Sequence, residues 1–227
     1  MDSVSEYSDL IANRNNLYRF LARLYKVEAD QALLDQMNGM CFPGECGEAE
    51  LDEGYRMLED YLRQYRLDPL TDLAVDYAKV FLGAGIAEGD VAYPFESVYT
   101  STERLIMQEA RDRVVAVYRA KGLDKAAALD FPEDHIALEL EFMSHLCGET
   151  QNAIAVQDWP AVAASLHEQK EFLAQHLLNW VPAFCADVQK CAETDFYKAV
   201  AKVTNGYLLM EEDIIQNLID ERVLETA

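Results

Sequence analysis

The residues best placed for chemistry in this sequence are Asp134, His135 and Glu139. On a helix His135 and Glu139 lie one turn apart, with Asp134 just before them. A carboxylate beside an imidazole can do general acid–base work. The same trio can instead cap and pair near a helix N-terminus, where the dipole favours Asp134. A binding role is the third reading, and all three stay open on the residues alone.

Other combinations fall short of a metal or nucleotide site. Di-iron bundles use Glu-x-x-His on facing helices, whereas Glu141 and His145 are four apart. His167-Glu168 has no second histidine at the zincin position, and nothing completes a zinc set around His145 and Cys147. No glycine-rich loop ends in Lys-Ser or Lys-Thr. Gly83, Gly85 and Gly89 follow no predicted strand, so a dinucleotide fingerprint is poor. The expectation is no cofactor and no metal.

Two segments carry aromatics, a proline and short polar groups where a loop enters a predicted helix. They are Tyr93-Pro94-Phe95-Glu96-Ser97-Val98-Tyr99 and Phe131-Pro132-Glu133-Asp134-His135. Tyr77 and Phe81, at i and i+4, read first as core. Tyr93, Phe95 and Tyr99 are harder to absorb into a core. Aromatics and proline on a loop can line an apolar groove for a peptide, with Glu96 at its edge for a positive charge.

The elements that must hold these residues read as helices nearly throughout. Leu10, Leu17, Leu21 and Leu24 form one stripe, and Leu51, Tyr55, Leu58, Leu62 and Tyr65 another. Asp68-Pro69 opens a helix with Leu73, Tyr77, Val80 and Phe81 on one face. Gly83, Gly85, Gly89 and Pro94 mark a long loop, of the kind that is often functional. Thr100 with Glu103 predicts a capping box for a helix that stops at Gly122. Asp130 or Phe131 is expected to open the next, with Pro132 in its first turn and Ile136, Leu140, Met143 and Cys147 inward. Asp158 caps a helix with Val162, Leu166, Leu173 and Leu177 inward, broken or kinked by Pro182. Thr194 caps a last helix with stripe Phe196, Val200, Val203, Tyr207, Met210 and Ile214. Alternating patterns between hairpin turns are absent. The expectation is one all-α domain, 1–227, of roughly ten helices, with 51% apolar residues to fill its core.

Charge bounds the partners. With 19 Lys+Arg against 41 Asp+Glu the net charge is −22. Phosphate contacts need a basic face, so nucleic acid is not expected, and anionic membrane surfaces are equally disfavoured. Simple solubility accounts for such a charge, and a basic partner is compatible with it. The acidic start, Met1-Asp2-Ser3-Val4-Ser5-Glu6, lacks the pattern of a signal peptide, and no stretch reaches the length of a membrane span. Cys41, Cys46, Cys147, Cys185 and Cys191 are scattered and form no CxxC, which suits reduced thiols in a cytoplasm.

Taken in order, these motifs resemble the redox-enzyme maturation chaperones of the TorD/DmsD type, the TMAO and DMSO reductase chaperones. Tyr77-Ala78-Lys79-Val80-Phe81 matches an aromatic-x-x-Leu-aromatic motif with Val80 for Leu. Pro94-Phe95-Glu96-Ser97-Val98-Tyr99 matches Pro-aromatic-x-Ser-Val-aromatic. Pro132-Glu133-Asp134-His135 matches Glu-Pro-x-Asp-His, with Phe131 where the family has Glu. The stretch Ile136 to Met143 and that from His176 through Phe196-Tyr197 are also similar. The resemblance implies a non-catalytic cytoplasmic chaperone. It would bind the twin-arginine signal peptide, and in some members the body, of a molybdenum-cofactor reductase precursor before export. It implies Tyr77, Phe81, Pro94, Phe95, Ser97, Tyr99, Asp134 and His135 as binding residues, with Glu96 added from the groove argument. An enzyme or nucleotide-binding protein built on His135, and a general assembly adaptor, are the alternatives. Both a monomer and a homodimer swapped about a hinge at 83–95 remain open.

Overall fold

A computed structural model of the chain describes residues 3–64, 66–84 and 91–220. Tyr65, Gly85, Gly89 and residues 85–90 of the expected hinge lie outside them. The described chain forms ten α-helices in the order α1 (Ser3–Lys26), α2 (Gln31–Asn38), α3 (Ala49–Arg63), α4 (Pro69–Phe81), α5 (Glu96–Thr100), α6 (Glu109–Ala120), α7 (Ile136–Ala155), α8 (Trp159–Phe172), α9 (Val181–Cys191) and α10 (Asp195–Asp220). A π-helical turn, Leu173–Leu177, links α8 toward α9. No strand occurs among the described residues; the only sheet-like pairing there is a single bridge, Phe95 to His135.

Local chemistry explains most helix starts. Asp68 caps α4, accepting from the Thr71 N–H, and Pro69 occupies the first turn, where its missing N–H costs nothing. Asp158 caps α8 in the same way through Ala161, beside Pro160. The Tyr197 N–H donates to Thr194 Oγ1 at the start of α10. Gly122, with φ of 70°, ends α6 in the left-handed conformation.

Other starts differ from expectation. Thr100 is the last residue of α5, where its hydroxyl donates to the Glu96 carbonyl. No capping box forms with Glu103, and α6 begins only at Glu109. Residues 131–134 form a turn, so α7 starts after His135 rather than at Asp130 or Phe131. Pro132 thus sits before the helix. Pro182 does not kink α8: the chain leaves α-helical geometry at Phe172, and Pro182 lies in the first turn of α9.

The core runs through all the long helices, with α1 against α7, α3 against α10, and α7 against α8. On α1 the buried face is Tyr7, Ile11, Tyr18, Leu21 and Tyr25, and Leu10 is exposed. The tyrosines shift the stripe that the leucines alone suggest. The α3–α10 crossing is close because two glycines permit it. A Cβ on Gly54 would sit 2.8 Å from Val203 N, and one on Gly206 would sit 2.5 Å from Leu51 N. A buried ion pair ties α1 to α10: Arg14 Nη2 lies 2.8 Å from Glu211 Oε2, which also accepts from the Tyr18 hydroxyl at 2.7 Å. Such a pair holds two helices in register, since either partner alone would be a stranded charge.

Candidate functional site

The two loop–helix junctions singled out in the sequence are stitched to each other. The Glu96 N–H donates to the Asp134 carbonyl and the Ile136 N–H to the Pro94 carbonyl, both at 3.0 Å. These bonds make the Phe95–His135 bridge. They place the start of α5 beside the start of α7, so orphan donors at two helix N-termini are satisfied together. The Asp134 side chain completes the join, with Oδ2 accepting from the Ser97 N–H at 2.9 Å. Ser97 Oγ then accepts from the Gln108 N–H at 3.1 Å and fixes the entry to α6.

His135 is the N-cap of α7. Its Nδ1 accepts from the Ala137 N–H at 3.1 Å, so that nitrogen carries no proton. The ring lies between Phe95, at 5.1 Å between centroids, and Phe131, at 4.2 Å. Burial, aided by the charge of Lys26, lowers its pKa to about 3. The ring is therefore neutral near pH 7, a wall and a cap rather than a charged partner. The expected pairing with Glu139 is replaced: Glu139 Oε2 accepts from Trp180 Nε1 at 3.0 Å. Glu139 is wholly enclosed, and its carboxyl is held well above the usual range by burial and then by Glu96.

Glu96 is not at the edge of a groove, as expected, but fully buried. Its Oε2 lies 3.0 Å from His176 Nδ1, and its Oε1 accepts from Asn179 Nδ2 at 3.1 Å. The π-helical turn carries His176, and Asn179 and Trp180 follow it. One widened turn thus points three polar contacts at Glu96 and Glu139, the kind of place where π turns are often found. Asp134 is also fully buried, and burial raises its pKa. Asp134 Oδ1 and Glu139 Oε1 have no hydrogen-bond partner among the described residues. Three enclosed carboxyl groups therefore lie beneath one short surface segment.

Tyr77 and Phe81 are core residues, as their spacing first suggests. The Tyr77 hydroxyl donates to the Tyr25 carbonyl at 2.8 Å, and its ring meets Phe81 at 5.1 Å. They join the stitched junction through Phe184, which lies 6.1 Å from Phe81 and 6.0 Å from Tyr99. Pro94 and Ser97 are buried. Four rings stay half-buried: Phe95 and Phe131 flank His135, Tyr93 lies in the preceding loop, and Tyr99 on α5 has Arg104 over its ring at 5.5 Å. His176, Asn179, Trp180 and Phe184 escaped the sequence reading. Their spacing of three or four just before and after Pro182 is a legible one-face signal, but nothing in it points to Glu96.

Nothing in this geometry presents an activated nucleophile or a poised base, and no group of three metal-ligating side chains occurs among the described residues. None of the helices there is long and apolar enough to cross a membrane. The arrangement suits the holding of another chain.

Comparison with known proteins agrees. The nitrate reductase delta subunit family matches residues 48–186, which span the whole stitched junction. The chain is 30% identical to a "Chaperone protein TorD" of Vibrio cholerae serotype O1 (strain ATCC 39541), over 70% of this chain and 69% of that one. It is 26% identical to the protein of the same name from the El Tor Inaba strain of that species, over 96% and 99%. A further "Chaperone protein TorD", from Aliivibrio salmonicida, is 26% identical over 89% and 93%. Helices, junction and relatives converge: the chain belongs to the nitrate reductase delta subunit family and, within it, to the non-enzymatic molybdoenzyme maturation chaperones of the TorD type.

Proposed function

We propose that this chain is a cytoplasmic chaperone, acting as a single helical domain. In this reading it binds the twin-arginine signal peptide of a molybdenum-cofactor reductase precursor and holds it while the cofactor is inserted. The observation that carries the reading is the stitched junction. It holds the half-exposed rings of Phe95 and Phe131 on either side of His135, with the half-exposed Tyr99 on the helix that follows. Half-buried rings supply apolar contact area at low cost in side-chain entropy. The net charge of −22 favours encounter with a basic leader.

In this division of labour the residues named from the sequence have two roles. Phe95 and Tyr99 touch the peptide. Tyr77, Phe81, Pro94, Glu96, Ser97, Asp134 and His135 hold the patch in shape from below. Phe131, standing where the family has Glu, adds a ring to the patch.

Fluorescence anisotropy of a labelled twin-arginine leader tests the reading. The leader is expected to bind, more weakly when both arginines are replaced by glutamine. A leader that shows no saturable binding contradicts the proposal.

A further inference from the structure

A second feature lies along α7 from His135. A cavity of about 210 Å³ opens between α6, the segment that follows it, and α7. Its apolar walls are Tyr118, Leu123, Leu138 and Phe142, and Asp124, Lys125, Glu141 and His145 complete the lining. An apolar cavity of roughly 150 Å³ already accepts a benzene-sized group. This one therefore has room for one large apolar side chain.

The cavity lies beside the segment that carries Phe131. Leu138 lies one turn beyond His135 on α7. Lys125 Nζ donates to the Phe131 and Leu129 carbonyls and so ties the cavity's outer wall to the ring that stacks on His135. Charge gives the occupant its sign. The acids that line this opening are Asp124 and Glu141, and Lys125 is turned to the Leu129 and Phe131 carbonyls. Glu141 is neutralised by Lys26 at 2.7 Å, and Glu133 by Arg111 at 2.6 Å. Asp124 is exposed and has no cationic partner among the described residues.

We propose that this cavity seats a large apolar side chain of the bound peptide, with a neighbouring basic residue of that peptide on Asp124. The assignment rests on the leader-binding reading and extends the contact surface along α7, beyond the Phe95–Phe131 patch.

The test is calorimetry on the full chain with two peptides: a twin-arginine leader, and the same leader with its large apolar residues changed to alanine. Leu123→Trp fills the cavity from a half-buried loop position, and Asp124→Lys reverses an exposed charge. Leu123→Trp is expected to weaken the intact leader about tenfold, the loss of one buried anchor, and to leave the alanine leader's affinity unchanged. Asp124→Lys is expected to weaken the intact leader several-fold at low salt and less at high salt. Wild-type affinity in both variants, with binding still lost in Phe95→Ala, overturns the cavity and leaves the leader reading standing. No binding of either peptide by the unmodified chain overturns both.

Discussion

Ser97 and Asp134 are 37 positions apart in sequence, yet the Ser97 N–H donates to Asp134 Oδ2 at 2.9 Å in a site closed to water. This bond ties the first turn of α5 to the entry of α7. Asp134→Ala would leave a buried donor unsatisfied and is expected to cost about 1–3 kcal/mol. Asp134→Asn keeps an acceptor and is expected to lose far less. Urea unfolding of both variants separates a bond requirement from a charge requirement.

The His135 cap makes a second comparison. Its Nδ1 takes the Ala137 N–H, so His135→Ala removes a cap, worth roughly 1 kcal/mol, together with ring contacts to Phe95 and Phe131. His135→Asn restores a capping side chain and is expected to recover part of the stability without the ring contacts.

Acid groups under the patch predict a pH dependence. Burial, and then the nearby Glu96, raise the Glu139 pKa above the ordinary carboxyl value, which favours its protonated form in the fold. The folded state thus binds a proton that the unfolded chain releases above its ordinary carboxyl pKa. This contribution is complete at low pH and is lost as pH rises toward the folded value. His135 acts in the opposite sense. Its folded pKa of about 3, against 6.5 unfolded, removes stability as pH falls from about 6.5 toward 3. Glu139→Gln keeps an acceptor for Trp180. The variant is expected to gain on the wild type as pH rises above the ordinary carboxyl range in denaturant titrations. A wild-type-minus-variant difference that stays flat with pH would contradict a protonated Glu139.

The α3–α10 crossing depends on absent side chains. Gly206→Ala places a Cβ 2.5 Å from Leu51 N, a backbone atom that cannot rotate away. Overpacking of this kind costs about 1–3 kcal/mol, measurable as a lowered unfolding midpoint.

The fold was legible because its signals are local. Asp68-Pro69 and Asp158 with Pro160 state their helix starts outright, and the stripes on α4, α7 and α8 bury the residues named for them. The misread starts have one cause. Thr100 and Pro132 sit where a local rule predicts a helix N-terminus, but the chain there is held by the long-range join between residues 94–97 and 134–136. No local rule contains that join. The same limit explains Glu96. An acidic residue beside loop aromatics reads as a rim charge, and only the π turn 80 positions later, with His176, shows why it is buried. The motifs marked two segments that the fold joins. They did not show which of their residues face solvent and which face inward.

The proposed contact surface for the leader is the pair of half-exposed rings, Phe95 and Phe131, over the Asp134–His135 turn. Calorimetric titration of a twin-arginine leader into the wild type and a Phe95→Ala, Phe131→Ala double variant tests it most directly. Circular dichroism would verify an unchanged helical fold. Affinity is expected to fall at least tenfold in the double variant, as for the loss of two aromatic anchors. Equal affinity in a folded double variant would contradict it.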